Sequence, residues 1–468
     1  MKRVINRDTA KYLGKQVKIF GWVNSIRLHG KIIFIDLRDR SGILQLVFTP
    51  GNESIYKFAK EVRPEWVIEV IGKVLKRPPK MVNSKIETGK IEVSVESLEV
   101  LSKAKTLPFS IEGDGYEINE EKRMKYRYLD LRRGRMKKNL EERQKVIQFM
   151  RDFLQKEDFI EVETPILTKS TPEGARDFVV PSRLQQGRFY ALPQSPQQYK
   201  QLLQVAGIEK YFQIARCFRD EDPRADRQAE FTQLDLEMSF VDQKEILDLT
   251  ERLYVNLVKK LFPEKKIQKI PFPRISYQKI MEKYKTDKPD LRKNKNNPDE
   301  LAFAFIVDFP MFEWKKEKKR WGAVHHPFTR PQSKDINKIK KNPEKILAYQ
   351  YDFVLNGYEI GGGSLRSYKP EILEAVFEIM GHKKAEIRQK FGHLLEAFEY
   401  GVPPHGGIAP GLDRFLAVLF NEPNIREVIA FPKTGDSRDL MMDSPSEISE
   451  EQLKELKIKI SKPKRGFK

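Results

Sequence analysis

The chain has 468 residues, 39% hydrophobic and 33% charged, which is typical of a globular protein with more than one domain. No apolar run is long enough to cross a membrane, and the N-terminal segment lacks the apolar core of a secretory signal. The single cysteine, Cys217, excludes an internal disulfide and fits a reducing, cytoplasmic setting. Lys and Arg exceed Asp and Glu by 20, which favours a polyanionic partner such as a nucleic acid.

Short strands separated by turns fill residues 1–108. In one of them Ile33 and Ile35 fall on one face and Phe34 on the other. About five such strands predict a small barrel or sandwich, of which an oligonucleotide-binding (OB) barrel is one form. Phe34 is predicted on the solvent face near the basic Arg27, where single-stranded bases could stack. A lone surface phenylalanine is common, so a purely structural role stays open.

The charged stretch 109–139 has no clear apolar period and is predicted to be a hinge. Apolar residues then recur with helical spacing from Val146 to Leu154, which predicts an amphipathic helix. The helix leads into a predicted strand ending on Pro165, and mixed strands and helices follow. Residues 284–299 are predicted to form a surface loop.

The common phosphate, hydrolase and zinc motifs do not occur in the sequence, but three other clusters could carry chemistry. In the first, Ser195 is predicted to cap a helix that carries Gln197 and Lys200 one turn apart on one face. An amide and an ammonium so placed could hold a small ligand with two oxyanions. A solvated helix start is the alternative.

The second cluster, 217–240, is predicted to be two strands joined by a charged loop. Arg219 offers a planar grip for a phosphate, Glu221 could accept an amino proton, and Phe231 could stack on a base. A network of salt bridges is the alternative.

The third cluster is a hairpin that turns at Asn356-Gly357 and pairs Leu355 with Tyr358. This register places Asp352 on the same face as Glu359, and two such close carboxylates favour a shared Mg²⁺ ion.

Downstream, Arg414 lies just inside a glycine-rich junction between a strand and a helix, a good position for binding phosphate. Together the clusters describe a nucleotide-dependent activation site on an antiparallel sheet.

These motifs resemble a known family. FRDEDPRADRQAEFTQLD is similar to motif 2 of the class II aminoacyl-tRNA synthetases, GGIAPGLDR to motif 3, and the helix and strand ending on Pro165 to motif 1. TPEGARDFVVPSR, YALPQSPQQYKQ, HHPFT and NGYEIGGGSLR together resemble the bacterial aspartyl-tRNA synthetases. The similarity runs through nearly the whole chain, including the N-terminal barrel.

The resemblance implies an α+β protein with an OB-fold anticodon-binding domain (1–108), a hinge (109–139) and a class II catalytic domain (140–468) whose antiparallel sheet is flanked by helices. It implies an aspartate–tRNA ligase that uses ATP and Mg²⁺ to form aspartyl-adenylate, then transfers the aspartyl group to the 3′ end of tRNA(Asp). A cytoplasmic homodimer is expected.

Residue roles follow from the same resemblance. The residues expected to take part in catalysis are Arg219, Glu359 and Arg414. The residues expected to bind the metal are Asp352 and Glu359. ATP is expected to contact Arg219, Asp220, Glu221, Gln228, Phe231, Glu359, Gly411, Leu412, Asp413 and Arg414. Aspartate is expected to contact Glu173, Ser195, Gln197, Lys200, Arg219, Asp235, His325 and Arg366. The tRNA anticodon is expected to contact Arg27, Phe34 and Gln45.

The sequence departs from the family pattern in three places. The large bacterial insertion domain is reduced to a loop near 285–300, Ala229 replaces the usual proline of motif 2, and the run Asn24–Leu28 has fewer arginines than usual. Catalysis should survive these changes, whereas the last one weakens the case for strict anticodon discrimination.

Four alternative functions share part of this pattern. A non-discriminating enzyme would also charge tRNA(Asn) with aspartate. An asparaginyl-tRNA synthetase is disfavoured by Lys200, and an aspartate–ammonia ligase would not need the barrel. An inactive RNA-binding paralogue predicts erosion of Arg219, Glu359 or Arg414, and all three are present.

Overall fold

The computed structural model describes residues 1–170 and 174–461, except for the side chain of Lys318. The chain divides into two compact units, Met1–Ser110 and Ile111–Lys468. Within the described residues no helix is both long and apolar enough to cross a membrane.

Unit 1 is a closed five-stranded barrel, as the alternating pattern predicts. Its strands follow the order β1-β2-β3-β5-β4, and a helix, α1, connects β3 to β4. The elements are β1 (Gln16–His29), β2 (Ile32–Asp39), β3 (Gly42–Phe48), α1 (Glu53–Glu61), β4 (Val67–Lys76) and β5 (Ile91–Ser102). Ile33 and Ile35 lie in the barrel core and Phe34 is half-buried on the outer face, which confirms the predicted alternation. The barrel therefore has a hydrophobic core of its own.

Unit 2 contains the remaining helices and strands. The helices are α2 (Glu120–Lys125), α3 (Arg127–Asp130), α4 (Gly134–Lys156), α5 (Gln197–Val205), α6 (Gln243–Leu261), α7 (Tyr277–Tyr284), α8 (Ile336–Lys341), α9 (Pro370–Ile379), α10 (Lys384–Glu399), α11 (Leu412–Leu419) and α12 (Glu450–Leu456). The strands are β6 (Ile160–Glu161), β7 (Val179–Pro181), β8 (Phe189–Ala191), β9 (Lys210–Phe218), β10 (Glu230–Ser239), β11 (Lys266–Ile267), β12 (Arg274–Ser276), β13 (Glu300–Leu301), β14 (Phe303–Val307), β15 (Phe312–Lys315), β16 (Arg320–Ala323), β17 (Gln350–Leu355), β18 (Tyr358–Leu365) and β19 (His405–Pro410).

An eight-stranded sheet with the order β12-β14-β17-β18-β19-β10-β9-β6 organises unit 2. Its central strands are antiparallel, as expected, whereas the two edge strands, β12 and β6, pair in parallel. The strand predicted to end on Pro165 is shorter than expected and covers only Ile160–Glu161. Thr164 instead directs its hydroxyl to Gln213, and Pro165 has no N–H to continue a ladder.

Helices pack against this sheet through a core rich in aromatic rings. The Tyr254 ring of α6 lies edge-on to Phe353 and Phe415, with centroids 4.9 and 4.8 Å apart. Val146 and Leu154 of α4 are fully buried in the same core, which confirms the predicted amphipathic helix. The core packs on one face of the sheet, and the polar side chains of the candidate site lie on the other face.

The segment predicted to be a hinge differs from that expectation. It contains α2 and α3 and the start of α4, and Arg123, Arg127 and Arg133 are buried. Arg123 donates to both oxygens of Glu427 at 2.9 and 3.1 Å, and Arg135 donates to Glu427 at 2.8 Å. The apolar period is missing because buried ion pairs, rather than apolar side chains, attach the segment to the rest of unit 2.

We predict that Glu427 makes the stability of unit 2 sensitive to acid. Burial acts to raise the pKa of Glu427, but Arg123 and Arg135 outweigh it and lower that pKa from 4.5 to about 2. A depressed carboxyl pKa contributes stability above pH 4.5, about 3 kcal/mol here, which is lost as the pH falls towards 2.

Urea unfolding followed between pH 7 and 2 tests this prediction with the Glu427→Gln variant. The free energy of unfolding of the variant should be lower than that of wild type at pH 7, and this deficit should shrink as the pH falls. Glu120→Gln, which removes a more exposed pair with Arg426, is the control and should cost less than about 1 kcal/mol. A deficit that does not change with pH would contradict the assignment.

Candidate active site

A cavity of about 1150 Å³ lies in unit 2 and gathers most of the residues that the sequence singled out. The predicted ligand contacts that line it are Ser195, Gln197, Lys200, Arg219, Glu221, Gln228, Phe231, Asp235, His325, Glu359, Arg366, Gly411, Asp413 and Arg414. Asp220 and Leu412 do not line it, and Leu412 is buried in the apolar core. Glu173 falls outside the described residues.

Four buried charges form the floor of the cavity, and three of them, Lys200, Asp235 and Arg366, line it. The Lys200 ammonium donates to Asp235 at 2.9 Å and lies 3.2 Å from Glu237. The Arg366 guanidinium binds both oxygens of Glu237, at 2.8 and 3.0 Å. All four side chains are at most 2% exposed, so each charge depends on the others for compensation.

Sequence reasoning missed Glu237. Its signal was present, since Asp235 and Glu237 are two residues apart on β10 and therefore share a face. Burial acts to raise the pKa of Glu237, but Arg366 and Lys200 outweigh it and lower that pKa to about 2. Burial raises the pKa of Asp235, and Lys200 offsets only part of this effect. Glu237 is therefore the permanent counter-ion of this floor.

The start of α5 differs in detail from the predicted cap. The helix begins at Gln197 with Pro196 at the N-cap position and no capping side chain, so Ser195 lies one residue before the cap. Gln197 and Lys200 still share one face of the helix and line the cavity.

Two neighbouring histidines form one wall of the cavity. The rings of His325 and His326 are 4.3 Å apart, and His326 Nε2 lies 2.8 Å from a nitrogen of Arg366. Burial, reinforced by Arg366, lowers the pKa of His325 to about 3. Burial and His325 lower the pKa of His326 well below its usual value. Both rings are therefore neutral near pH 7. His326 was not among the residues predicted from the sequence.

The predicted hairpin of motif 2 is present, since β9 and β10 pair antiparallel from Glu230 opposite Phe218 onward. The Arg219 guanidinium lies 5.1 Å from the centroid of the Phe231 ring, and Glu221 forms an ion pair with Arg227 at 2.8 Å. A cation and an aromatic face therefore stand side by side in the cavity wall.

Arg414 lies in the first turn of α11, at the predicted junction of strand and helix. Its guanidinium donates to the carbonyl of Asp226 at 3.1 and 3.2 Å and to the carbonyl of Glu359. The neighbouring Asp413 is buried and accepts the N–H of Thr232 at 2.8 Å and a nitrogen of Arg143 at 2.5 Å. Asp413 therefore joins α4, β10 and α11.

The predicted hairpin at Asn356-Gly357 is confirmed, with Leu355 opposite Tyr358 and Val354 opposite Glu359. A bulge follows, so Asp352 pairs with Gly362. A Cβ placed on Gly362 would lie 3.3 Å from an oxygen of Asp352 and 3.8 Å from one of Glu359, so the two carboxylates converge over this glycine. Burial, followed by the charge of Glu359, raises the pKa of Asp352 well above its usual value.

Two models of known families match the chain. The model described as "tRNA synthetases class II (D, K and N)" matches residues 119–435, and the "OB-fold nucleic acid binding domain" model matches 17–101. The chain belongs to the class II aminoacyl-tRNA synthetases. The fold class predicted from its motifs is thereby confirmed.

The curated relatives of this synthetase are similar over nearly their full length. The aspartate–tRNA(Asp/Asn) ligase of Caldanaerobacter subterraneus is 42% identical, with 96% of each chain covered. The enzyme of the same name from Dictyoglomus turgidum is 43% identical, with 97% of each covered. The first alignment spans 574 positions, more than the 468 residues here, as expected if a segment of the relatives is missing.

Solved synthetase structures share the fold. Asparaginyl-tRNA synthetase from Pyrococcus horikoshii, complexed with asparaginyl-adenylate, aligns with a TM-score of 0.74 at 25% identity and covers 93% of this chain and 98% of its own. Aspartyl-tRNA synthetase from Entamoeba histolytica aligns with a TM-score of 0.70 at 23% identity, covering 92% and 91%.

Within the described part of this synthetase, several buried polar atoms of the cavity have no hydrogen-bond partner. They are Oδ1 of Asp235, Nε2 of Gln228 and Nδ1 of His325. Buried polar atoms are nearly always paired in folded proteins. In a cavity wall such atoms are candidate ligand contacts, with an acceptor needed for Gln228 and a donor for Asp235.

The predicted anticodon residues of the synthetase lie together on the outer face of the barrel. Arg27 on β1 pairs directly with Phe34 on β2. Its guanidinium binds both oxygens of Asp36 at 2.8 and 2.9 Å and donates to Gln45 at 3.2 Å. Gln45 in turn donates to Glu92 at 2.9 Å. The network holds a cation and an amide beside the half-buried ring of Phe34.

Proposed function

We propose that this synthetase activates L-aspartate with ATP and transfers the aspartyl group to the 3′ end of tRNA(Asp). The observation that carries the proposal is the floor of the cavity, where Lys200 and Arg366 are both buried. Two cations favour a carboxylate over an amide of nearly the same shape, which pure shape cannot do. Lys200 has three N–H donors and directs two of them to Asp235 and Glu237, so a third remains for the carboxylate of aspartate.

The ammonium group of aspartate finds a partner beside these cations. Asp235 presents a buried acceptor, Oδ1, which has no donor among the described residues. Gln197, on the adjoining turn of α5, orients the backbone end of the amino acid. Glu173, which the family resemblance also assigns to the ammonium, remains a prediction.

ATP is proposed to bind along β10 and the start of α11. Arg219 holds the α-phosphate and stabilises the negative charge that grows there during attack. Phe231 and Arg414 enclose the adenine, while Glu221 accepts its amino proton. Because no covalent enzyme intermediate is needed, the acceleration comes from orientation and charge stabilisation.

Asp352 and Glu359 fit a Mg²⁺ ion. Both offer oxygen ligands, and their mutual repulsion would be relieved by a cation between them. Within the described residues no group of three or more potential ligands exists. This matches the usual protein site for Mg²⁺, in which one or two carboxylates share the ion with substrate phosphates.

A second tRNA substrate, tRNA(Asn), is favoured by one finding. The relatives that are 42% and 43% identical over their length are named aspartate–tRNA(Asp/Asn) ligases. The reduced arginine content of Asn24–Leu28, in the barrel, supports the same reading. The cytoplasm, where both tRNAs occur, is the proposed location.

The first experiment loads labelled aspartate onto purified tRNA(Asp) and tRNA(Asn) in parallel, with ATP and Mg²⁺. We expect both tRNAs to be charged and chelation of Mg²⁺ to abolish charging. Arg219→Ala should lower the rate by a factor of 100 or more, since it removes charge stabilisation at the reacting phosphate.

Loading of tRNA(Asp) alone would assign a discriminating enzyme. If neither tRNA is loaded, the proposal is wrong and the inactive RNA-binding paralogue is favoured. Asparagine, offered in place of aspartate, is the matched control and should not be loaded.

The anticodon assignment predicts a separable effect of Phe34→Ala. We expect the KM for tRNA to rise about fivefold or more, the cost of losing one base–aromatic stack. Aspartate-dependent exchange of pyrophosphate into ATP should not change. Phe20→Ala, which removes another half-buried ring of the barrel near Lys18, is the control. Equal effects of the two substitutions on the KM would contradict a specific role of Phe34.

A homodimer is proposed from exposed apolar side chains concentrated around the β7–β8 hairpin. They are Ile166, Leu167, Val179, Val180, Leu184, Phe189 and Tyr190. Such a patch is unusual on a monomer. Light scattering should give twice the 54.9 kDa chain mass, and Val179→Asp combined with Phe189→Asp should give the monomer. A wild-type mass of one chain would contradict the proposal.

A further inference from the structure

A two-stranded hairpin, Phe312–Ala323, stands at the rim of the catalytic cavity and carries two tryptophans. Strands β15 and β16 pair antiparallel with Trp314 directly opposite Trp321. The two indole rings meet edge to face, with centroids 5.4 Å apart, and both line the cavity. We call this element the tryptophan hairpin.

The two rings differ in their packing. Trp321 is partly buried and packs against an apolar cluster that includes Val376 of α9. Trp314 extends outward and is 51% exposed. A large indole left half in water at a cavity mouth, with its partner anchored behind it, forms a rigid platform for a planar apolar group.

The turn of the hairpin is strongly basic. It reads Lys315-Lys316-Glu317-Lys318-Lys319-Arg320. Lys315 pairs with Glu313. Among the described residues this is the ion pair of the turn, and Lys316, Lys319 and Arg320 take part in none. Unneutralised cations beside an exposed aromatic ring are the combination that binds single-stranded nucleic acid, through phosphates and stacked bases respectively.

We propose that the tryptophan hairpin binds the single-stranded 3′ end of tRNA. A base next to the terminal adenosine stacks on Trp314, and Lys316 and Lys319 contact the adjoining phosphates. The inference rests on the proposed function, since a tRNA that accepts an aspartyl group must bring its 3′ end through this mouth. In the proposed function the adenine of ATP has its own ring surface in the cavity, at Phe231, which leaves Trp314 for RNA.

The test compares two RNAs in direct binding, without aspartate or ATP. One is full-length tRNA(Asp) and the other is the same tRNA without its single-stranded 3′ nucleotides. We expect wild type to prefer the full-length form about fivefold or more. Trp314→Ala should lose this preference, binding both forms like the truncated one. Trp314→Phe, which keeps an aromatic face, should retain most of it.

A salt titration tests the phosphate contacts. For Lys316→Gln combined with Lys319→Gln, the slope of log K against log salt concentration should fall in magnitude by about 1.4, since each contact to a single strand contributes about 0.7. The matched control is Lys338→Gln with Lys341→Gln, two exposed lysines of α8 that do not line the cavity. Tyr400→Ala, an exposed ring elsewhere, is the control for Trp314→Ala. Neither control should alter the preference or the slope.

Three outcomes would overturn the inference. The first is a wild type with no preference for the full-length tRNA, and the second is a Trp314→Ala variant that keeps the preference. The third is a Trp314→Ala variant that loses aspartate-dependent pyrophosphate exchange while its RNA binding is unchanged. The hairpin would then be a cover for small substrates. Failure of the proposed function is distinguishable, because wild type would then show no aspartate-dependent exchange whatever its preference between the two RNAs.

Discussion

The pairing of Arg366 with Glu237 is the interaction on which the site depends. It joins the end of β18 to β10 in the interior of the sheet, where neither charge could remain without the other. Lys200 reaches the same carboxylate from α5, so one helix and two strands meet at a single buried anion. Because the cluster balances its own charges, the cavity floor stays in place before any ligand arrives. A floor that is already organised loses little energy to rearrangement when the reaction begins.

A second buried carboxylate, Asp413, connects the elements that carry the proposed nucleotide contacts. It receives the backbone N–H of Thr232 and the side chain of Arg143. The position of Arg414, the next residue, is therefore set by contacts to both β10 and α4. The family resemblance predicts that Asp413 binds ATP. In the structure its carboxylate holds β10 and α4 against α11.

Local patterns in the sequence predicted much of this structure, and non-local contacts account for most of what they missed. The barrel alternation and the hairpin at Asn356-Gly357 depend on neighbouring residues, so they could be read directly. The bulge between Phe353 and Val354 could not, because it has no comparable local signal in the sequence. The buried arginines of 109–139 gave the pattern of a hinge, since an ion pair with Glu427, some 300 residues away, leaves no local signal.

The same distinction holds within the site. Residues in compact motifs, such as Arg219 and Phe231, could be found from the sequence. Glu237 and His326 flank such motifs, and their importance follows only from their contacts with Arg366. Asking which carboxylate neutralises Arg366 would have pointed to Glu237, whereas His326 has no such signal in the sequence.

The separate hydrophobic core of the barrel has a consequence for how tRNA choice can change. Substitutions on the outer face around Phe34 leave that core intact and lie on a unit different from the one that holds the buried charges. On the proposed assignment of the anticodon to this face, anticodon selection and chemistry on aspartate can change independently during evolution. A lineage would then widen or narrow its set of tRNAs through a few changes on that face, and a graft of a related barrel would offer the same route in the laboratory.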